Sequence, residues 1–499
     1  MNYLNVKNNQ RVAIDSIPTL PYETLFEVVT KELMISEDAH CVNYFGYNSD
    51  SGIKLICCIA NDELGVIHLL STVAKPDKSI PSITAQNYSF HAFEREIHEN
   101  FGVKYSDHPW LKPIRYPFNR GNPKSQIANY PFYKIDSEEL HEVGVGPIHA
   151  GIIEPGHFRF ICNGEQILHL EIQLGYQHRG LEKLFLEKKG LLQRATLAEN
   201  IAGDTVVGHS TAFAQAWEAL CGFQPSEKLQ FDRALALEHE RIAIHTGDLS
   251  AICTDVAYQL GSSVFGRLRT PVINYFQQWC GNRLAKSLIR PGKTNFPFTS
   301  ELAIKWHEVF KAYEPDFTEM ALQMFDLPSM LSRIEKTGVV TTETAVEIGA
   351  VGMAARASGV NRDIRHSHPT GYYDKIKYQP VMGRVGDVFA RAKLRFDEIH
   401  TSIDLIKVMT ANQPAADTVT QPLGIPEPNS LVVSLVEGWR GEICHCALTD
   451  SKGELMLYKI KDPSFHNWLA LALAVRNNEI SDFPICNKSF NLSYCGHDL

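Results

Sequence analysis

Apolar residues recur between Phe231 and Leu260 at steps of three, four and seven, with Leu235, Ile242, Leu249, Ile252 and Val256 on one stripe. This pattern predicts a long helix with one buried face. A second helical pattern runs through Asp387 to Met409. Nearer the start, a helix-like segment from Tyr22 to Leu33 precedes apolar runs at Ile53–Ala60 and Val66–Val73, which read as strands of a small α/β unit. Phe93 to Val103 carries charges suited to a short exposed helix, with Gly102 as its C-terminal stop. From His108 to Pro131 the prolines 109, 113, 117, 123 and 131 exclude a helix or a central strand, and this stretch is the expected linker.

The second part opens with glycines and prolines around alternating apolar residues from Gly144 to Phe160, the pattern of two short strands joined by a tight turn. After a Pro-rich stretch at 413–428, Leu431 to Leu457 alternates apolar and polar residues around Asp450-Ser-Lys-Gly453, which predicts a hairpin. The expected class is α+β. A small N-terminal α/β domain, residues 1–134, precedes a mainly helical domain, residues 135–499, with short peripheral β-hairpins.

A chain of 499 residues has ample length to bury a core, and its net charge of −9 argues against a nucleic-acid partner. The start of the chain lacks the apolar run of a leader, so a cytoplasmic location is expected. The apolar run from Trp468 to Val475 falls short of the roughly 20 residues a bilayer requires, so any membrane attachment runs through partners. Eleven cysteines occur without a single C-x-x-C, an odd number suited to reduced, buried thiols. Cys57-Cys58 reads as core. In Cys444-His445-Cys446 a strand points both sulfurs to one face and the imidazole to the other, which favours packing over ligation. No phosphate-binding glycine signature is present.

Longer segments carry a resemblance. His91-Ala-Phe-Glu-Arg-Glu-Ile-His-Glu-Asn-Phe-Gly-Val, with His108-Pro109-x-Leu111, resembles the small C-type subunit of respiratory complex I. Beyond Gly144 the chain is similar to the D-type subunit and to the large subunits of energy-converting nickel-iron hydrogenases and formate hydrogenlyase. The segments are Val145-Gly-Pro-Ile-His-Ala-Gly-Ile-Ile-Glu-Pro-Gly-His-Phe-Arg-Phe, Leu174-Gly-Tyr-Gln-His-Arg-Gly-Leu-Glu-Lys, Gly338-Val-Val-Thr-Thr-Glu, Arg356-Ala-Ser-Gly-Val-Asn-Arg-Asp-Ile-Arg and Glu437-Gly-Trp-Arg-Gly-Glu-Ile. The C-like then D-like order is that of a fused chain.

In the hydrogenases two C-x-x-C pairs hold nickel and iron, because soft thiolates suit these metals. The resemblance places those positions at Ala202 and Thr205, and at Ser493 and Gly496; none is cysteine. Nickel-iron is therefore not expected, and Cys495 with His209, His497 or Asp498 is a poor replacement beside the plainer reading of a free thiol. With the last residues Asp498-Leu499, the extension that hydrogenase maturation removes is not expected.

What the resemblance implies instead is a proton-coupled redox cavity with room for a quinone, built against an iron-sulfur B-type subunit. An H-type membrane subunit and antiporter-like membrane subunits complete the expected assembly on the inner membrane, with the iron-sulfur cluster in the partner. The candidate residues are Asp255, His245, Glu154, His149 and His178, with Arg179, Asn200, Asp204 and His209 lining the cavity. Each has a plainer alternative. Arg241, Asp248 and Asp255 recur every seven residues and suit an ion-pair network. His149 and Glu154 suit turn polarity, and His178 to Lys183 suits a helix start with an ion pair. Asn200 stands where complex I carries a quinone-holding tyrosine, and an amide supplies no phenolic proton. A scaffold without redox chemistry and a hydrogenase with altered ligands are the competing readings.

Overall fold

A computed structural model describes residues 2–75, 77–416 and 422–499. Part of the Pro-rich stretch, 417–421, lies outside the described residues. The N-terminal sheet has the order β1 (Leu4–Val6), β5 (Val66–Ala74), β4 (Gly52–Asn61), β3 (Ala39–Ser49). Helix α1 (Tyr22–Val28) continues as a π-turn segment through Leu33, matching the expected helical stretch. A second sheet, in the order β15 (Leu455–Lys461), β14 (Glu442–Thr449), β13 (Ser430–Glu437), β2 (Val12–Ala13), takes its edge strand from the start of the chain. The hairpin predicted over Leu431–Leu457 is thus one part of a larger sheet, whose β14–β15 turn contains Asp450 to Gly453.

The two sheets pack face to face. Val42, Phe45, Ile56 and Cys58 on one side meet Leu431, Val433, Cys444 and Cys446 on the other. The opposite face of the second sheet, with Val432, Ala447, Tyr458 and Ile460, packs on α3 (Leu181–Glu187), α4 (Leu191–Ala198) and α5 (Val206–Leu220). Burial on both faces is why strands with an alternating sequence are buried at every position of β13 and β14. It also places the cysteine pair and His445 on opposite sides, as the strand period predicts.

Helix α2 (His91–Phe101) ends at Gly102 in the left-handed conformation, but it is buried, not exposed. Its charges point inward because distant segments supply their partners. Glu94 accepts from Ser82, Thr84 and two backbone N–H groups, Glu96 pairs with Arg115 and Lys459, and Glu99 accepts the N–H groups of Ile114, Arg115 and Tyr116. Arg95 donates to the carbonyls of Lys112 and Pro113 and lies over Trp110. The expected linker is therefore fastened to α2 through these groups. Short strands β6 (Ser79–Pro81) and β7 (Lys104–Ser106) pair in parallel on either side of the helix in sequence.

Three antiparallel strands follow, β8 (His141–Val145), β9 (His157–Asn163) and β10 (Gln166–Gln173). Strands β8 and β9 do pair, but residues 146–156 form a wide loop between them and not a tight turn. The predicted long helix is α6, Glu227–Asp255, capped by Ser226. It stops five residues before the expected end, where Ala257 takes a positive φ of 60° and α7 (Gln259–Cys280) begins. A small ribbon, β11 (Ile289–Arg290) with β12 (Lys293–Thr294), leads to α8 (Ser300–Asp326). Four short helices, α9 (Pro328–Ile334), α10 (Thr342–Glu347), α11 (Gly352–Ala357) and α12 (Ile364–Ser367), precede α13 (Val388–Ala411), whose N-cap is Asp387. The chain closes with α14 (Ser464–Ala474), α15 (Phe483–Phe490) and α16 (Tyr494–Asp498). All eleven cysteines are free thiols, nine of them buried.

Candidate functional site

The two segments where the resemblance places the hydrogenase ligand pairs meet around two arginines. Ala202 and Thr205 are buried in the turn that leads from α4 into α5. Arg179 donates to the carbonyls of Asn200 (2.6 Å) and Ile201 (2.9 Å) on that side and to the Cys495 carbonyl (3.1 Å) on the other. Arg440, in the turn between β13 and β14, is 3% exposed; it grips Asp204 through two bonds of 2.6 and 2.7 Å, donates to Thr205 Oγ1 at 3.0 Å, and reaches the Asn491 carbonyl at 2.5 Å. The planar fork suits such bidentate capture of a carboxylate.

At the second of these segments Ser493 caps a helix. Ser493 Oγ accepts the Gly496 N–H at 2.9 Å, and so starts α16. A side chain at 496 has no room: an added Cβ lies 2.8 Å from Asp462 Cγ and 2.8 Å from Ser493 Oγ. Asp462 cannot retreat easily, since His209 Nε2 binds its Oδ2 at 3.0 Å and the Ser464 N–H binds Oδ1 at 2.8 Å. Burial opposes charge on Asp462, but the His209 bond and the nearby charges of His209 and Arg440 hold its pKa at about 2. Behind His209, its Nδ1 meets His445 Nε2 at 3.1 Å, and His445 Nδ1 meets the Tyr458 hydroxyl at 2.8 Å.

This donor set does not fit a thiolate-held nickel-iron centre. The Ser493 hydroxyl is spent on a cap, the Thr205 hydroxyl receives Arg440, and Ala202 and Gly496 bring no donor. Burial, and then the charge of Glu154, push the Cys495 thiol up to about 11, away from the thiolate a metal needs. Among the described residues no group of three or more His, Cys, Asp or Glu side chains converges as a metal site.

Beneath this region α6 carries a buried ionic network. His245 Nε2 donates to Glu398 at 2.7 Å, and Arg356 joins Glu398 (2.5 Å) to Glu437 (2.7 Å). Arg241 lies 3.5 Å from both Glu238 and Glu398. Asp248 binds Arg395 at 2.8 Å and the Asn491 amide at 2.7 Å, which ties the network to the segment above. Glu240 accepts the N–H groups of Val207 (2.7 Å) and Gly208 (3.2 Å) at the start of α5. Burial, with Asp204 adding its charge, pushes Glu240 up to about 8 against those bonds and Arg241.

The sequence-predicted residues separate accordingly. His245 and Asp248 lie in the network, whereas Asp255 does not share their pocket: it is exposed at the end of α6, about 15 Å along the axis from His245 at ~1.5 Å per residue. The expected ion-pair line therefore holds for Arg241 and Asp248 and fails at Asp255. His149 Nε2 donates to the Gly156 carbonyl at 2.8 Å and so closes its own loop. Glu154 faces Cys495 and Tyr494. His178 Nδ1 donates to the Asp498 carbonyl at 2.8 Å, and Glu182 pairs with Lys459 at 3.0 Å. The Asn200 amide is turned to Lys286 (2.8 Å) and the Thr196 carbonyl (2.6 Å). Asp462, Glu398 and Glu240 are the residues that sequence reasoning missed. An Asp before Pro at a strand end is a weak turn signal for Asp462; the other two lack any local signal.

This two-part architecture, a strand-rich N-terminal domain followed by a helical bundle, is matched in both parts by complex I subunit families. Two family models match in succession: "Respiratory-chain NADH dehydrogenase, 30 Kd subunit" over residues 23–126 and "Respiratory-chain NADH dehydrogenase, 49 Kd subunit" over residues 260–423. Formate hydrogenlyase subunit 5 of Escherichia coli (strain K12) is 27% identical over 376 residues, 75% of this chain and 66% of that protein. The carbon monoxide-induced hydrogenase of Rhodospirillum rubrum is 26% identical over 352 residues, 70% of this chain and 97% of that one. The fused C/D chain of the NADH-quinone oxidoreductase of Phocaeicola vulgatus is 25% identical over 437 residues, 80% of this chain and 83% of that one. The chain is thus similar in both parts to complex I subunits, and its relatives include fused C/D-type NADH-quinone oxidoreductase chains and hydrogenase large subunits. It spans about two thirds of the length of the formate hydrogenlyase and hydrogenase-4 relatives. Its relatives are subunits of larger complexes, so further subunits are expected, and no helix among the described residues is long and apolar enough to cross a membrane.

Proposed function

We propose that this chain is a metal-free, hydrogenase-derived subunit of a membrane-attached, complex I-related oxidoreductase. With an iron-sulfur B-type subunit it forms one wall of a proton-coupled redox cavity that takes a quinone, and an H-type and antiporter-like subunits attach it to the cytoplasmic face of the inner membrane. The observation that carries this reading is the filling of the ligand pocket by protein groups: Asp462 occupies the space beside position 496 and Arg440 bonds to Thr205. A fixed guanidinium and a fixed carboxylate then supply the local charge that a metal would otherwise supply. An iron-sulfur cluster in the partner would supply the electrons, and Glu154 and His245 of this chain would carry the compensating protons.

Purification of the native complex with analysis of nickel, iron and quinone tests this. Iron and quinone without nickel are expected. Nickel in stoichiometric amount overturns the metal-free reading, and a complex without iron or quinone overturns the redox reading.

A further inference from the structure

A second polar path runs through the seam between the two sheets, away from the ligand pocket. It starts at a cavity of about 550 Å³ whose lining includes the exposed Lys7, Leu64 and Asp374 at the surface and His368 within. His368 is 2% exposed; its Nε2 binds Asp62 Oδ1 at 3.1 Å, while its Nδ1 is buried without a hydrogen-bond partner. Asp62, just beyond β4, places its other oxygen, Oδ2, 3.5 Å from His40 Nδ1. His40 is again 2% exposed, and its Nε2 binds Glu442 Oε2 at 2.6 Å. Glu442 pairs through its second oxygen with Lys461, the neighbour in sequence of Asp462.

The order is imidazole, carboxylate, imidazole, carboxylate, amine, drawn from both sheets and the segment after α12. Both rings have the same sense: each gives Nε2 to the carboxylate on the inner side and keeps Nδ1 without a hydrogen-bond partner. An ion-pair network needs no such polarity, since a charged imidazole bonds equally through either nitrogen. Burial and the charge of Arg362 lower the His40 pKa against the pull of Glu442 and Asp62, which favours the neutral ring, and in that form the 2.6 Å contact with Glu442 puts the proton on Nε2 and leaves Nδ1 to accept. The charged groups facing the path are Arg362, 3.5 Å from Asp62, and Lys461, with His466 beside the Glu442 end.

We propose that His368, Asp62, His40 and Glu442 form a proton wire that leads from the cavity through the seam to the Glu442–Lys461 pair. One transfer is balanced as follows. A proton from water binds His368 Nδ1, and the Nε2–H proton of that ring passes to Asp62. Asp62 gives a proton to His40 Nδ1, and the Nε2–H proton of His40 passes to Glu442. Solvent loses one proton, Glu442 gains one, and each ring is left as its other tautomer, which the reverse exchange resets. The role in turnover rests on the redox reading given above, but the wire is testable without it.

The test uses the native complex with ¹⁵N-labelled histidine and the variant His368→Ala. The exchange rate of the His40 ring proton with solvent is read by NMR, with and without added imidazole, which is small enough for the cavity. The wire predicts exchange slowed on the order of tenfold or more in the variant, and recovered when imidazole replaces the missing ring. Recovery also reports that the variant is folded. Unchanged exchange in His368→Ala, or slowed exchange that imidazole does not restore, overturns the wire. Quinone turnover followed in the same samples falls and recovers in parallel. Absence of quinone turnover in the unsubstituted complex overturns the proposed function, while the exchange measurement still decides the wire.

Discussion

The packing at Gly496 makes a quantitative prediction. In Gly496→Ala the new Cβ lies 2.8 Å from Asp462 Cγ and 2.9 Å from Asp462 Oδ2, closer than van der Waals contact permits, so Asp462 has to turn away from His209. Overpacking costs about 1–3 kcal/mol, and weakening a buried, charge-assisted bond adds about 1.5–3 kcal/mol; roughly 3 kcal/mol in total is expected. Asp462→Ala costs a similar amount, because His209 loses its partner. In the Asp462→Ala background, however, the second alanine meets only Ser493 Oγ, a short side chain free to rotate once its cap bond yields, and its added cost drops to about 1 kcal/mol. The coupling between the two substitutions is therefore about 2 kcal/mol, the double variant being more stable than the sum of the singles predicts. Amide hydrogen exchange of residues 493–499 measures it without assuming two-state unfolding of a large chain. Costs that add to within about 0.5 kcal/mol refute the claim that Asp462 fills the space beside position 496.

Three further outcomes follow from the same network. Glu240 has a folded pKa raised from 4.5 to about 8, so the folded state holds a proton that the unfolded state has released within that window, and this contribution is lost as pH rises from 4.5 to about 8. Glu240→Gln, which stays neutral, should therefore gain stability relative to the parent protein across that window and run parallel to it above, as read from melts at stepped pH; a flat difference refutes the assignment. Asp248→Asn strands the buried Arg395 and should cost about 3–5 kcal/mol, whereas Asp255→Asn, at an exposed helix end, should change stability by less than about 0.5 kcal/mol. Equal losses in thermal melts would show that the two aspartates share one environment after all. Arg440→Lys keeps the charge but loses the two-pronged grip on Asp204; a loss of about 1.5–3 kcal/mol is expected, and exchange in residues 202–206 should rise together with that in 491–496.

What the sequence reveals and what it hides have the same physical origin. The apolar period of α6 is legible because Leu235, Ile242, Leu249 and Ile252 are each fully buried on one stripe. The three polar positions at seven-residue spacing obey the same period, but a helix carries its pattern only as far as its neighbours do. Arg241 and Asp248 lie under α13 and α15, and Asp255 is the last residue of the helix, exposed where those neighbours no longer cover it. Strand alternation put Cys444 and Cys446 on one side and His445 on the other without error, because that rule is local. It could not show that the histidine joins His209, 236 positions away.

Charge is where local reading fails. Glu94, Arg95, Glu96 and Glu99 look like the solvated face of a short helix, and in isolation they would be one. They are buried because Arg115 and Lys459 and the backbone of residues 83–84 and 112–116 arrive from elsewhere to pair with them. The same holds for Glu398 and Glu437, whose positions are unremarkable until Arg356 stands between them. A buried ion without a partner is too costly to persist, so each of these charges implies a partner, yet nothing in the local sequence says which. The ligand pocket shows the consequence for function. The residues at the positions where the resemblance places ligand cysteines are legible in the sequence; only the long-range contacts of Asp462 and Arg440 show which charged groups pack against them.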